Sequence, residues 1–215
     1  MKRKLGINID GVIRDYLDRF EKVYISTYIH NNSLVETSDE FQIKVLTDEQ
    51  EEAKFSVIEK RMKDMITKPI DSFDLMNHFK FEDGKNYLGF DNTAEEIFKE
   101  FIYEIKAFHI FGQANAYQWS IDAAHRLQQL GDDEDLFEVV LLSTLKGKAI
   151  PATYSFLASI ACRIKNIIFV KEDFDKWDHC DVIIDIMPET FQSKPKDCLS
   201  IKINHELNKW DEADS

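Results

Sequence analysis

The chain has 215 residues, 44% hydrophobic and 31% charged, with a formal net charge of −13. That length suits one ordinary domain or a core with a sizeable insertion, and the acidic surplus excludes a large nucleic-acid surface, which needs clustered Lys and Arg against phosphate. No apolar run approaches the about 20 residues that cross a bilayer, and Met1-Lys2-Arg3-Lys4 is not followed by a signal-peptide core, so a cytoplasmic protein with no membrane partner is expected.

Taken in order, the chain opens on Leu5 to Ile9, a short apolar run broken by Asp10 and Gly11. This pattern predicts a buried strand that delivers a carboxylate to a loop at its C-terminal end, where open α/β sheets bind ligands. Asp15 to Tyr28 then sets Tyr16, Leu17, Phe20, Val23, Tyr24 and Thr27 on one helical stripe. Glu40 to Leu46 alternates as a strand does, and Thr47 to Gln50 starts an amphipathic helix running through Ile66 and stopping before Pro69. Asp71 to Asn92 is turn-rich, and its aromatics Phe73, Phe79, Phe81, Tyr87 and Phe90 suggest a local core rather than a base-stacking platform. Thr93 is placed to cap a helix from Ala94 to roughly Phe108, and Ile110-Phe111-Gly112 closes this α-rich stretch.

From Asn115 onward helices and strands alternate. Helix is expected over Tyr117 to Leu130, with Trp119, Ala123, Leu127 and Leu130 along it, and over Pro151 to Ile164. Strands are expected at Phe137 to Leu142, Ile167 to Val170, Val182 to Ile184 and Ser200 to Ile203. Strands separated by helices of this length imply a parallel sheet with right-handed crossovers, joined by the first strand across the insertion. The expected division is a core of residues 1–15 and 113–215 with an α-rich cap at 16–112. Cys162, Cys180 and Cys198 are odd in number and lack paired short spacing, so they suggest buried or half-buried thiols, not disulfides or a zinc site. The acidic runs Asp132-Asp133-Glu134-Asp135 and Asp211-Glu212-Ala213-Asp214 suggest a solvated loop and a frayed terminus.

Asn8-Ile9-Asp10-Gly11-Val12-Ile13-Arg14-Asp15 resembles the first motif of the haloacid dehalogenase-like (HAD) phosphatases, in the Asp-x-Asp-Gly-Val-x-x-Asp form of the 5'(3')-deoxyribonucleotidases. It matches at Asp10, Gly11, Val12 and Asp15, while the family's nucleophilic aspartate falls on Asn8. Val139 to Thr144 resembles the second motif, a strand ending in a phosphoryl-binding hydroxyl. Lys176 stands where the third-motif lysine belongs, with Lys171 as rival. Cys180 to Glu189 resembles the fourth motif at Asp181, Ile184, Asp185, Pro188 and Glu189, and departs at Ile186, where a second aspartate is expected.

The resemblance implies a HAD-like Rossmannoid α/β fold with a cap inserted after the first strand. It also implies Mg²⁺ held by Asp10, Asp185 and position 8, acid/base work by Asp10, and a phosphoryl clamp of Ser143, Thr144 and Lys176. A neutral carboxamide at Asn8 is a poor nucleophile. Two departures around one metal site therefore favour a retired phosphatase, kept as a binding or structural protein that still holds a nucleotide or small phosphate ester or meets a protein partner. The alternative is an active Mg²⁺-dependent phosphatase of nucleoside 5'-monophosphates or small phosphate esters. Its compact form also resembles nucleotidase-like proteins of bacteria and their viruses, which would place it in a host cytoplasm.

Overall fold

A computed structural model describes residues 2–30, 70, 75–79, 81, 83–85 and 89–208. Five strands make one parallel sheet: β1 (Arg3–Asn8), β2 (Phe137–Ser143), β3 (Ile167–Phe169), β4 (Val182–Asp185) and β5 (Leu199–Lys202), in the order β3-β2-β1-β4-β5. The expected α/β class with a parallel sheet flanked by helices is borne out. β1 runs beside both β2 and β4, with Ile7 opposite Leu141 on one side and Ile184 on the other. The chain therefore changes its direction of travel across the sheet at β1, and the crevice outside the carboxyl ends of β1, β2 and β4 is the switch point of such a fold.

Strand alternation distributes the core over both faces. Leu5, Ile7, Val139 and Leu141 pack with Ile121 and Ala124 of helix Gln118–Asp133 and with Phe156 and Leu157 of helix Ala149–Ser159. Val140, Leu142 and Ile183 turn the other way, onto Trp177 and Cys180. A third cluster joins helix Tyr16–Tyr24, through Leu17, Phe20, Val23 and Tyr24, to Phe79, Phe101, Ile110 and Phe111, and rests on Leu145, Ala149 and Ala152 just after β2. Phe20, Tyr24, Phe79, Phe81, Phe98 and Phe101 stack edge to face or tilted within it, so the local-core expectation holds for Phe79 and Phe81. Phe90 instead lies exposed. Phe73 and Tyr87, the strand expected at 40–46, the helix expected at 47–66 and the terminal acidic run are outside the described residues.

Several helices differ from expectation for identifiable reasons. Thr93 caps helix Ala94–Glu100 with a reciprocal capping box to Glu96, but the chain then widens into π-helical turns at Phe101–Ile105 and Phe108–Gly112. Bonds spanning five residues shift the apolar stripe, so Ile105 and Phe108 emerge into solvent while Ile102 and Phe111 turn inward. Helix Gln118–Asp133 buries Ser120, Ile121, Ala124 and Gly131 rather than the stripe through Trp119, Ala123 and Leu130, all of which are exposed. Gly131 fixes that rotation, since a Cβ there would lie 2.5 Å from the Phe137 carbonyl oxygen.

Helix Ala149–Ser159 stops five residues before Ile164. Ala161 takes a left-handed φ of 51°, and the Cys162 and Ala161 amides donate to the Leu157 and Ala158 carbonyls at 3.0 and 3.1 Å. This is a Schellman end with alanine where glycine is usual. Pro151 falls in the first turn, where an amide would have no intrahelical partner. The three cysteines are free thiols, and Asp132 to Asp135 is solvent-exposed as expected.

Candidate functional site

β1 ends at Asn8, the next two residues leave the sheet, and Gly11 turns the chain with φ +82°. The turn is closed by the Ile13 and Arg14 amides, both donating to the Ile9 carbonyl, and by the Gly11 amide donating to the Arg14 carbonyl. An added Cβ at Gly11 would fall 1.9 Å from Ile186 Cδ1, so glycine is needed here for space as well as for φ. Asp15 then caps the helix that follows.

Five of the sequence-identified residues, Asn8, Asp10, Ser143, Lys176 and Asp185, meet at this strand end. Asn8 is 3% exposed, and its Nδ2 donates to Asp185 Oδ1 at 2.8 Å and to the Asp10 carbonyl at 2.9 Å. Two acceptors on one nitrogen fix the amide orientation, because the flipped group would turn an oxygen toward both. Asp185 has no solvent exposure. Its Oδ1 also accepts from the Ile186 and Met187 amides, and its Oδ2 accepts from Lys176 Nζ at 2.6 Å and Thr190 Oγ1 at 2.8 Å. Lys176, also fully buried, forms a second ion pair with Asp173. Burial by itself pulls the ammonium's pKa down, but Asp185 and Asp173 override it and hold the pKa above the ordinary lysine value. Burial raises the Asp173 carboxyl, and Lys176 offsets part of that rise.

Asp10 is held from behind by a residue that sequence reasoning passed over. Arg14, wholly buried, brings Nε to 2.9 Å and its NH2 nitrogen to 2.7 Å of Asp10 Oδ1, and donates to the Phe111 carbonyl and Thr153 Oγ1 at 3.0 and 3.1 Å. Its guanidinium lies over the Phe111 and Phe156 rings, 5.0 and 5.1 Å from their centroids. A lone basic residue inside the apolar run Val12-Ile13-Arg14 was the available signal. Ser143 is buried and donates to Asp10 Oδ2 at 3.2 Å, so its hydroxyl supports the carboxylate. Asp173 was also missed, although it lies three residues from Lys176, the spacing of a pair on one helical turn.

A cavity of about 240 Å³ opens in front of these groups, lined by Asn8, Asp10, Thr144 and Asp173 on the polar side and by Tyr16, Phe98, Ile102, Tyr103 and Phe111 among its apolar walls. Of the expected phosphoryl clamp, Thr144 lines the cavity; Ser143 and Lys176 do not, because their polar atoms are turned to Asp10 and Asp185. Lys171 is exposed. Ile186, where the second motif aspartate was expected, is wholly buried in the apolar core under Gly11.

The donor set as arranged does not fit the expected magnesium ion. Asn8 presents a hydrogen-bond donor to Asp185, both Asp185 oxygens are committed to internal donors, and Asp10 gives its Oδ1 to Arg14, leaving one oxygen, Oδ2, which accepts from Ser143, toward the cavity. A hard dication needs oxygen ligands with open lone pairs. Among the described residues, no group of three or more His, Cys, Asp and Glu side chains is gathered to hold a metal. No helix among them is long and apolar enough to cross a membrane.

Compared with known proteins, the chain matches no family profile and no curated sequence. Among solved structures it is similar to the magnesium-bound crystal structure of YfnB from Bacillus subtilis, described as a HAD-hydrolase, with TM-score 0.38 and 12% sequence identity, covering 94% of this chain and 80% of that one.

Proposed function

We propose that this chain is a HAD-like protein of the 5'-nucleotidase type that no longer performs covalent phosphoryl transfer and serves as a binding protein. One observation carries this reading. The side chain at the mouth of β1 is an amide whose nitrogen bridges the Asp10 carbonyl and the Asp185 carboxylate. An attacking group there needs a charged oxygen aimed at phosphorus, whereas Asn8 is neutral and turned inward. Ile186 reinforces the reading, since a core isoleucine supplies no anionic oxygen beside Asp185.

Phosphate release over a nucleoside monophosphate panel with Mg²⁺ tests it on the chain and on Asn8→Asp. The chain itself is expected to release none, and steady turnover by it would overturn the proposal in favour of an active phosphatase. Turnover confined to Asn8→Asp would identify the amide as the block.

A further inference from the structure

The cavity has a charge asymmetry that the motif residues alone do not disclose. Among the described residues its acids face inward and its bases do not: the Asp10 and Asp173 side chains keep 15% and 19% exposure, whereas Arg14 and Lys176, which pair with them, keep 0%. A molecule entering therefore meets carboxylate, with each cation shielded behind its partner. Among the described residues, Asp10, Asp173 and Asp185 are matched by two cations, Arg14 and Lys176, leaving the cluster one negative charge in excess. The acid field extends across the space, since Tyr16 and Tyr103 have their phenol pKa values raised by burial and then by Asp10 and Asp173. With no cation on the polar floor among the described residues, a phosphate dianion would lie against two carboxylates at low dielectric. Tyr16, Phe98, Tyr103 and Phe111 put aromatic rings in its walls, and a ring face attracts positive charge and repels negative charge. The volume, about 240 Å³, exceeds the roughly 150 Å³ that holds a benzene ring.

We infer that the cavity binds a small organic cation, an aromatic or branched apolar body carrying an amine, with the ammonium against Asp10 and Asp173 and with no divalent metal. This deepens the non-catalytic reading above and rests on it. Three probes of matched shape test it by titration calorimetry on the full chain: 2-phenylethylamine, phenylacetate and phenyl phosphate, each with and without Mg²⁺. The amine is expected to bind at least about tenfold more tightly than either anion, a difference of about 1.4 kcal/mol, and Mg²⁺ is expected to change nothing. Asp173→Asn, checked to be folded by its melting curve, should weaken the amine by a similar factor and leave the anions no worse. Equal or tighter binding of either anion, a requirement for Mg²⁺, or silence from all three probes would overturn the inference. Phosphate released from phenyl phosphate in the same samples would overturn the non-catalytic reading itself, so the two failures are told apart.

Discussion

Asn8 donates its amide hydrogens to Asp185 at 2.8 Å and to the Asp10 carbonyl at 2.9 Å, tying the ends of β1 and β4 together. Here the link is covalent to the backbone and carries no net charge.

Asn8→Asp replaces a donor by an acceptor facing two acceptors. In EDTA at neutral pH the variant should lose about 1–3 kcal/mol, the cost of leaving buried partners unsatisfied. Two carboxylates this close can share one proton, so the loss should shrink as pH falls toward the carboxylate range. Added Mg²⁺ should raise the variant's melting temperature and leave the parent unchanged; a Mg²⁺-induced rise in the parent would contradict the donor geometry described above.

Lys176→Met removes the buried cation shared by Asp173 and Asp185. Stranding a buried charge costs about 3–5 kcal/mol, so urea unfolding should shift by that amount. Lys171→Met, at an exposed lysine, should stay within about 0.5 kcal/mol of the parent.

Gly11→Ala meets both a φ of +82° and Ile186 Cδ1 at 1.9 Å from the new Cβ. Truncating the neighbour in Gly11→Ala/Ile186→Ala should relieve the clash while the backbone strain persists. Thermal melts should therefore show the double variant losing less than the sum of the two single losses, a departure from additivity expected of residues in contact.

Ala161→Gly should stabilise the protein by up to about 1 kcal/mol, because a left-handed φ of 51° is costly for alanine and free for glycine. Denaturant midpoints at constant slope would measure it.

The Cys180 thiol is pushed up to about 12 by burial, against an ordinary value of 9.0. Its folded pKa lies above its unfolded one, so its contribution to stability is complete below pH 9.0 and is lost as pH rises toward about 12. Cys180→Ala should flatten the fall in stability between those limits, as urea titrations at stepped pH would show. The native thiol should react with a disulfide reagent more slowly than the same thiol in urea.

The sequence by itself determined the sheet. Short apolar runs separated by helix-length segments have few ways to bury both faces of a strand, and the runs at 5–9, 137–142, 167–170, 182–184 and 200–203 became the five strands within two residues at their ends. It also brought Asn8, Asp10, Ser143 and Asp185 to one place, since each ends or follows a parallel strand and those ends converge.

What only the tertiary structure decided is where each polar atom points. Arg14 became the partner of Asp10 because a glycine turn folds the chain back on itself and two rings from distant helices enclose the guanidinium. Lys176 rather than Lys171 entered the site because the short helical turn at Asp173–Asp178 buries it against β4. The π-helical widening at Phe101–Ile105 set Ile102 and Tyr103 on the cavity wall, which a regular 3.6-residue stripe does not anticipate. Periodicity records which side of an element avoids water; it holds no record of which buried charge will find which, because that depends on distances between segments far apart in the chain.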